Sequence, residues 1–235
     1  MGTAGETRSC RHTPIARKIP ASTDREISTS SHCGKQLPAR TAFNAAIPVP
    51  ASQPRADWKL LRPPASYIEA RVRIPTGKGV WPAFWLLGSN FPSTGWPAAG
   101  ELDLFEANAS SPSVVTQRIH LPSNTDPSKD IPYGDGEQSS STAFDQPVDS
   151  AFHTYGVYFD RDLVQFYVDR RPRLSLTAVA TRASGRDWPF DEPQFIVLNV
   201  AVGGVAKDPG KTSFPRTMTT SGISIWHQER PSGAG

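Results

Sequence analysis

Three carboxylic acids lie within six residues of an otherwise apolar segment, as Glu101, Asp103 and Glu106 of the sequence ELDLFE. Alternate residues of a regular strand share a face, so Glu101 and Asp103 point together and Glu106 points to the opposite face. One extra residue in a β-bulge at Leu104–Phe105 turns Glu106 back to the face of the other two. The spacing therefore predicts a bulged strand whose three carboxyls line one wall.

Paired carboxyls on one wall are the chemistry of a retaining glycosidase, in which they stand about 5–5.5 Å apart. One carboxylate attacks the anomeric carbon, and the other protonates the leaving oxygen and then deprotonates water. A third carboxyl between them hydrogen-bonds the nucleophile and separates the pKa values of its neighbours. Two other interpretations stay open on the acids alone: a site for calcium or magnesium, and a solvated strand edge.

Three tryptophans, Trp81, Trp85 and Trp96, precede Glu101 by 20 residues or fewer. Aromatic faces stack on the apolar faces of sugar rings, while polar groups set the orientation. Trp81 and Trp85 belong to an apolar run with Phe84, so at least one of them is expected in the core. Trp96 follows the loop sequence SNFPSTG and is the better candidate for an exposed platform.

The elements that must position these side chains are short strands. In residues 67–74, the alternating Ile68, Ala70, Val72 and Ile74 predict a half-buried strand. Asp160-Arg161-Asp162 predicts a short hairpin connection. Short strands without a convincing long helix indicate an antiparallel sandwich or barrel. The polar stretch 121–151 is predicted to be a functional or disordered loop. The other predicted strands cover residues 80–87, 101–106, 114–120, 154–159, 163–168, 195–202 and 223–226.

The first quarter of the chain differs from the rest. Residues 1–57 contain one aromatic side chain, Phe43, of the 22 in the protein. Such a segment buries too little apolar surface to offset its ordering entropy. We therefore expect residues 1–60 to be low in complexity and mostly disordered, or a mis-assigned start, and residues 61–230 to form the catalytic domain. No secretory signal is recognisable near the start.

Composition excludes several classes of protein. The 235 residues hold only two cysteines, Cys10 and Cys33, which argues against a disulfide scaffold or a zinc cluster. No run approaches 18 apolar residues, so no membrane-spanning helix is expected. Residues 1–60 hold nine Lys and Arg against four Asp and Glu, and the remainder holds 16 against 18. The body of the chain therefore has no positive face for nucleic acid.

Several blocks, in order along residues 65–228, resemble glycoside hydrolase family 16, the laminarinase-like endo-β-1,3(4)-glucanases. ELDLFE is similar to the family pattern Glu-x-Asp-x-x-Glu with its bulge, and GWPAAG resembles the segment that leads into the catalytic strand. The other similar blocks are IEARVRIPTGKGVWPAFWLLG, FHTYGVYFDRDLVQFYVD, WPFDEPQFIVLNVAVGG and FPRTM.

The resemblance implies an all-β fold, an antiparallel jelly-roll β-sandwich of the concanavalin A type. It implies a retaining endo-glycosidase for β-1,3 or mixed β-1,3/1,4 glucan that needs no cofactor and is extracellular, and we expect a monomer without a metal site. Related hydrolases or transglycosylases and a non-catalytic glycan-binding sandwich are the alternatives. The roles implied are Glu101 as nucleophile, Asp103 as assisting carboxyl, Glu106 as general acid/base, and Trp85, Trp96 and His120 as substrate contacts.

The sequence departs from the family pattern at four places. No strands are recognisable in residues 1–60, where family members have two or more. The C-terminal strand of family members usually opens with Val-Asp-Tyr, whose Asp often helps to bind calcium. This sequence has Thr220-Ser221-Gly222-Ile223 instead, so no calcium site is expected. Gly203-Gly204-Val205-Ala206 replaces Gly-Gly-Asn-Trp, which removes an aromatic on the substrate side. A glycosylation sequon begins at Asn108 and is expected to be unoccupied.

Overall fold

A computed structural model describes residues 25–29, 60–61, 65–107, 111–126, 128–130 and 138–227. Cys10, Cys33, the sequon at Asn108 and most of the segment 1–57 lie outside these residues. Among the described residues, no helix is long and apolar enough to cross a bilayer.

Strands account for most of the described chain, and each is short. They are β1 (Arg25–Thr29), β2 (Leu60–Leu61), β3 (Ala65–Arg73), β4 (Val80–Gly88), β5 (Glu101–Ala107), β6 (Val114–His120), β7 (Ser139–Ala143), β8 (His153–Asp160), β9 (Leu163–Val168), β10 (Arg171–Thr177), β11 (Gln194–Val202) and β12 (Arg216–His227). The helices are α1 (Phe91–Thr94), α2 (Ala178–Ala183) and a 3₁₀ helix at Gly204–Ala206.

These strands form two antiparallel sheets of six strands each. The first sheet has the order β1-β12-β3-β8-β9-β10, and the second has the order β2-β11-β4-β5-β6-β7. Among the described strands, the chain crosses between the sheets after β1, β2, β3, β7, β10 and β11, in the manner of a jelly roll. The prediction of an all-β antiparallel sandwich is confirmed.

The core lies between the two sheets and is built by alternation along each strand. The predicted face of β3 is fully buried, because Ile68, Ala70, Val72 and the following Ile74 have no exposed surface. The second sheet contributes large side chains from β4, β5 and β6. Full burial of one such aliphatic or aromatic side chain stabilises the fold by about 1.5–3 kcal/mol. The core therefore holds the second sheet rigidly, with its other face turned away from the sandwich.

The hairpin predicted at Asp160-Arg161-Asp162 is confirmed. β8 ends at Asp160, β9 begins at Leu163, and the two strands pair antiparallel. The Asp160 carboxylate accepts hydrogen bonds from the backbone N–H groups of Asp162 and Leu163. An acidic side chain that bonds the backbone two or three residues later stabilises a turn.

Most of residues 1–60 lie outside the described residues, so their predicted disorder stays a prediction. Within the described residues, β1 pairs with β12, and β2 pairs with β11. The expectation of a loop over residues 121–151 is wrong. β7 lies inside the predicted loop 121–151, where it forms the edge beyond β6. All three are short edge strands held by backbone hydrogen bonds, and the sequence of β7, SSSTA, has no apolar alternation to reveal it.

Candidate active site

The bulge predicted at Leu104–Phe105 is present in β5. On one side Asp103 pairs with Arg118 and Glu106 with Thr116, so two residues of β5 oppose Gln117 alone. On the other side Asp103 and Phe105 oppose consecutive residues of β4. The register shift sends Leu102, Leu104 and Phe105 into the core, each with no exposed surface. Glu101, Asp103 and Glu106 are thereby left on the opposite face, as predicted.

We call that face of the second sheet, turned away from the core, the site face. Two tryptophan N–H groups fix the ends of the carboxyl row on it. Trp96 Nε1 donates to Glu101 Oε2 at 2.9 Å, and Trp81 Nε1 donates to Glu106 Oε1 at 3.0 Å. Trp96 is 45% exposed, which confirms the prediction of an exposed position. Each outer glutamate is thus oriented by an indole.

The expectation that Trp81 or Trp85 packs in the core is wrong. Phe84, between them, takes the core position with no exposed surface. Both indoles stand on the site face because residues 81 and 85 are an even number of positions apart on β4. Trp85 Nε1 donates to Asn199 Oδ1 of the neighbouring β11 at 2.7 Å. This bond fixes the ring of Trp85, which lies opposite Asp103 in the strand register.

His120 sits at the end of β6, directly across from Glu101. Its Nε2 atom lies 2.9 Å from Asp103 Oδ2 and 3.9 Å from Glu101 Oε1. Its Nδ1 atom lies 2.6 Å from Asp130 Oδ2. The Trp96 ring centre is 5.6 Å from that of His120. His120 is therefore enclosed by carboxylates on both ring nitrogens.

Burial and mutual repulsion hold protons on this cluster. Burial, followed by the Asp103 charge, raises the pKa of Glu101 to about 9 and that of Glu106 to about 7. Burial opposes the charged form of His120, but hydrogen bonds to Asp103 and Asp130 raise its pKa to about 10. Glu101 and His120 therefore hold their protons at neutral pH in the free protein.

One carboxylate oxygen each from Glu101 and Asp103 and a ring nitrogen of His120 lie within 4.8 Å of one another. By type these atoms could hold a divalent metal ion. However, both nitrogens of His120 face carboxylate oxygens at hydrogen-bond distance, and a nitrogen that donates a proton cannot bind a metal. The arrangement suits charge compensation within the cluster better than metal binding.

Sequence reasoning missed three residues of the site: Trp81, Asn199 and Asp130. The even spacing between Trp81 and Trp85 is a signal that both indoles share a face. Asn199 lies in an apolar strand, and a buried amide there signals a specific partner. Asp130 carries no such signal, because it reaches His120 from the polar stretch after β6 through an isolated bridge between Pro122 and Asp130.

Comparison with known proteins agrees with this geometry. The family model described as Glycosyl hydrolases family 16 matches residues 65–233. The chain is 29% identical over 173 residues to a glucan endo-1,3-beta-glucosidase A1 of Niallia circulans, covering 69% of this chain and 24% of that protein. It is 32% identical over 184 residues to a beta-glucanase of Rhodothermus marinus, covering 73% of this chain and 59% of that protein.

Among solved structures, the catalytic domain of an endo-1,3-beta-glucanase (laminarinase) from Thermotoga petrophila superposes with a TM-score of 0.64 at 30% identity. That match covers 73% of this chain and 66% of the solved one. The chain therefore spans between about a quarter and three fifths of the length of the two curated relatives named above.

Proposed function

Because the chain belongs to the glycosyl hydrolases of family 16, we propose that it is a retaining endo-glycosidase that hydrolyses β-1,3 or mixed β-1,3/1,4 glucan. One observation carries the proposal: the bulge in β5 gathers Glu101, Asp103 and Glu106 on the site face. Glucan as the substrate is supported by the names of the two relatives, an endo-1,3-beta-glucosidase and a beta-glucanase.

In the proposed reaction, Glu101 attacks the anomeric carbon while Glu106 gives its proton to the departing glycosidic oxygen. The C–O bond of the substrate breaks, and a covalent bond forms between the sugar and the Glu101 carboxylate. Glu106 then takes a proton from water, and the hydroxide oxygen displaces Glu101 with a second inversion at the anomeric carbon. Asp103, between the two glutamates in sequence, assists the nucleophile.

The reaction needs one proton on the glutamate pair, carried by Glu106. The raised pKa values put that proton on Glu101 first in the free protein, since about 9 exceeds about 7. We assign the roles from the family pattern, and the proposal therefore requires that the proton pass from Glu101 to Glu106 when substrate binds, because the general acid must lie within hydrogen-bond reach of the leaving oxygen.

We propose Trp85, Trp96 and His120 as substrate contacts. Trp96 offers an exposed ring beside the nucleophile, and Trp85 lies opposite Asp103 with its N–H held by Asn199. Ala206 stands where the family pattern Gly-Gly-Asn-Trp has its aromatic residue, and it is buried at 5% exposure, so the subsite there is expected to bind sugar more weakly.

The remaining elements of the proposal concern the whole protein. We propose that residues 61–230 form the catalytic domain and that it acts as an extracellular monomer on the polysaccharide, with no cofactor or metal, nucleic acid or membrane partner. Recovery of the full-length native protein from the culture medium, and a monomer mass in solution, would support these statements. Retention inside the cells would contradict the location.

The experiment that tests the function is reducing-sugar release from laminarin and from mixed-linkage β-glucan. Wild type is compared with Glu101→Gln, and with Glu192→Gln as a control at an exposed acid outside the site. We expect release by wild type and the control, and a loss of several orders of magnitude in Glu101→Gln, because amide nitrogen and oxygen do not replace a carboxylate nucleophile.

Other outcomes would favour the alternatives. Release from a galactan, or transfer of glucosyl units to added acceptors, would indicate a related specificity within the family. No release from any glucan by a chain that melts cooperatively and still binds laminarin would favour a non-catalytic glycan-binding sandwich. Equal release by Glu101→Gln and wild type would overturn the assignment of the nucleophile.

A further inference from the structure

Asp130 is held in place by three donors. Its Oδ2 atom lies 2.6 Å from His120 Nδ1 and 3.0 Å from Arg118 Nη2, and its Oδ1 atom accepts from the backbone N–H of Leu121 at 3.2 Å. The Asp130 side chain is 14% exposed, and that of Arg118 is 6% exposed. Burial alone would raise the pKa of Asp130. The hydrogen bonds and positive charges of His120 and Arg118 outweigh burial, so the pKa of Asp130 is lowered and its carboxylate stays ionised.

The short contact to Asp130 decides where the proton on His120 sits. A carboxylate oxygen 2.6 Å from Nδ1 requires that Nδ1 carry a hydrogen. Arg118 Nε lies 3.4 Å from the same nitrogen, and this longer contact yields to the shorter, charge-assisted one. His120 therefore donates from Nδ1 to Asp130.

The other ring nitrogen then faces a second acceptor. Nε2 lies 2.9 Å from Asp103 Oδ2, so with Nδ1 already protonated a neutral ring would place a lone pair against a carboxylate. The contact is favourable only if Nε2 is protonated as well, which makes the ring a cation. The positive ring lies 3.9 Å from Glu101 Oε1, and its charge offsets part of the rise that burial and the Asp103 charge cause in the pKa values of Glu101 and Glu106.

We propose that Asp130 is a positioning residue that holds His120 as a doubly protonated cation against Asp103 and Glu101, where the positive charge favours ionisation of the nucleophile. Asp130 acts through His120 and does not touch the reacting atoms. This inference rests on the proposed glycosidase function, but the state of the His120 ring is measurable without any activity.

Charged groups from three parts of the described chain surround the His120 ring. Asp103, Glu101 and, at longer range, Glu106 come from β5, and Arg118 shares β6 with His120. Asp130 comes from the stretch beyond β6. The Arg118 charge opposes a second cation nearby, and Asp130 compensates both. Loss of Asp130 therefore removes one negative charge that faces both cations.

The first test is an NMR titration of the His120 ring in the full chain, assigned by its loss in His120→Gln. We expect both ring nitrogens of the wild type to remain protonated above pH 8, in agreement with the raised pKa of His120. In Asp130→Asn the ring should titrate at least two pH units lower. A neutral wild-type ring at pH 7 would overturn the proposal, whatever the variant does.

The second test uses the enzyme assay. We expect Asp130→Asn to lower kcat by about 10- to 100-fold with little change in KM, the effect of losing one charged hydrogen bond. The pH at which activity falls on the alkaline side should decrease together with the pKa of the His120 ring. A uniform loss of kcat without a decrease in that pH would mark Asp130 as merely structural and contradict the proposal.

A matched control is available in the other sheet, where Asp169 Oδ2 lies 2.8 Å from His153 Nδ1. Asp169→Asn removes the carboxylate of this second His–Asp pair and should leave the pH profile unchanged. Asp130→Asn combined with His120→Gln should lose no more activity than His120→Gln alone, since Asp130 acts only through the ring. If the wild type hydrolyses no glucan, the proposed function fails, while the ring titration still decides the state of His120.

Discussion

At the scale of single residues, the site depends on indole N–H groups as much as on carboxyls. Trp96 and Trp81 each donate to one of the two outer glutamates, so each ring both orients a reacting group and limits its motion. An oriented carboxylate is a better nucleophile because fewer conformations must be given up in the transition state. Trp96 alone of the two is also largely exposed.

Replacing Trp96 by Ala should weaken glucan binding by about tenfold or more, the usual cost of removing an exposed aromatic anchor. The measurement is the KM for laminarin together with binding to the Glu101→Gln protein. Phe91→Ala is the control, since Phe91 is 40% exposed in the nearby α1 and its side chain has no N–H group to donate to a carboxylate. Unchanged binding by Trp96→Ala would exclude Trp96 from the substrate site.

The titration of the site predicts how stability depends on pH. The folded-state pKa values of Glu101 and His120 are raised from 4.5 to about 9 and from 6.5 to about 10. A raised folded-state value means that the folded chain holds a proton that the unfolded chain releases. The stability contributed by each group is therefore full below its unfolded value and is lost as the pH rises through its folded value.

We therefore expect the Tm of the wild type to fall between pH 7 and pH 10, and that of Glu101→Gln to fall by several degrees less. One pKa unit corresponds to about 1.4 kcal/mol, and 1 kcal/mol to about 2–4 °C in a chain of this size. Thermal melts across this range check the prediction, with Glu192→Gln as the exposed control. Parallel curves for wild type and Glu101→Gln would contradict it.

At the scale of elements, the bulge in β5 is stabilised from across the sandwich. The Gln117 side chain is fully buried, and its Nε2 donates to the carbonyl oxygen of Leu104 at 3.2 Å and to that of Tyr167 in the first sheet at 3.4 Å. The Leu104 carbonyl lies within the bulge, where the ladder is locally disrupted, and Gln117 gives it a side-chain donor. One amide thus links the bulge to both sheets.

Gln117→Leu should destabilise the fold by about 1–3 kcal/mol, the cost of an unpaired buried carbonyl, and should lower activity further by loosening Glu106. Gln165→Leu is the matched control, because Gln165 Nε2 donates at 3.0 Å to the carbonyl of Leu174 beside a register shift in the first sheet. The control should lose stability without a matching loss of kcat. Denaturant unfolding and kinetics on both variants separate the two effects.

The sequence predicted those elements that have one buried face. The bulge in ELDLFE is predictable from the sequence, because its three acids can share one face of a strand only if the strand contains an extra residue. β7 has no apolar alternation, and β1 and β2 are too short for a period to show. The role of Asp130 could not be predicted for a related reason. Its contact with His120 depends on the path of a polar stretch, and no local sequence pattern determines that path.

At the scale of the whole molecule, β1 provides the outermost strand of the first sheet. It pairs with residues 216–220 of β12, and Met218 in that stretch is fully buried. An uncovered strand edge exposes unpaired N–H and C=O groups and invites association. The first sheet therefore includes a segment outside residues 61–230, and without β1 the longer strand β12 becomes the exposed edge of the catalytic domain that we propose.

Deleting residues 1–30 should accordingly lower the Tm by several degrees and promote self-association, while the ELDLFE site keeps its chemistry at low temperature. Melting curves and light scattering on the deletion and the full chain are the measurements. Identical melting and no added scattering would show that β1 contributes nothing to the sheet.

The central claim is a double displacement through Glu101 and Glu106, and the configuration of the first product tests it most directly. Proton NMR of the anomeric signals in the first minutes of laminarin hydrolysis separates the two outcomes before mutarotation mixes them. A double displacement predicts that the β-anomer appears first and that the α-anomer signal increases later. Initial release of the α-anomer would mean a single displacement by water and would contradict the assigned roles of both glutamates.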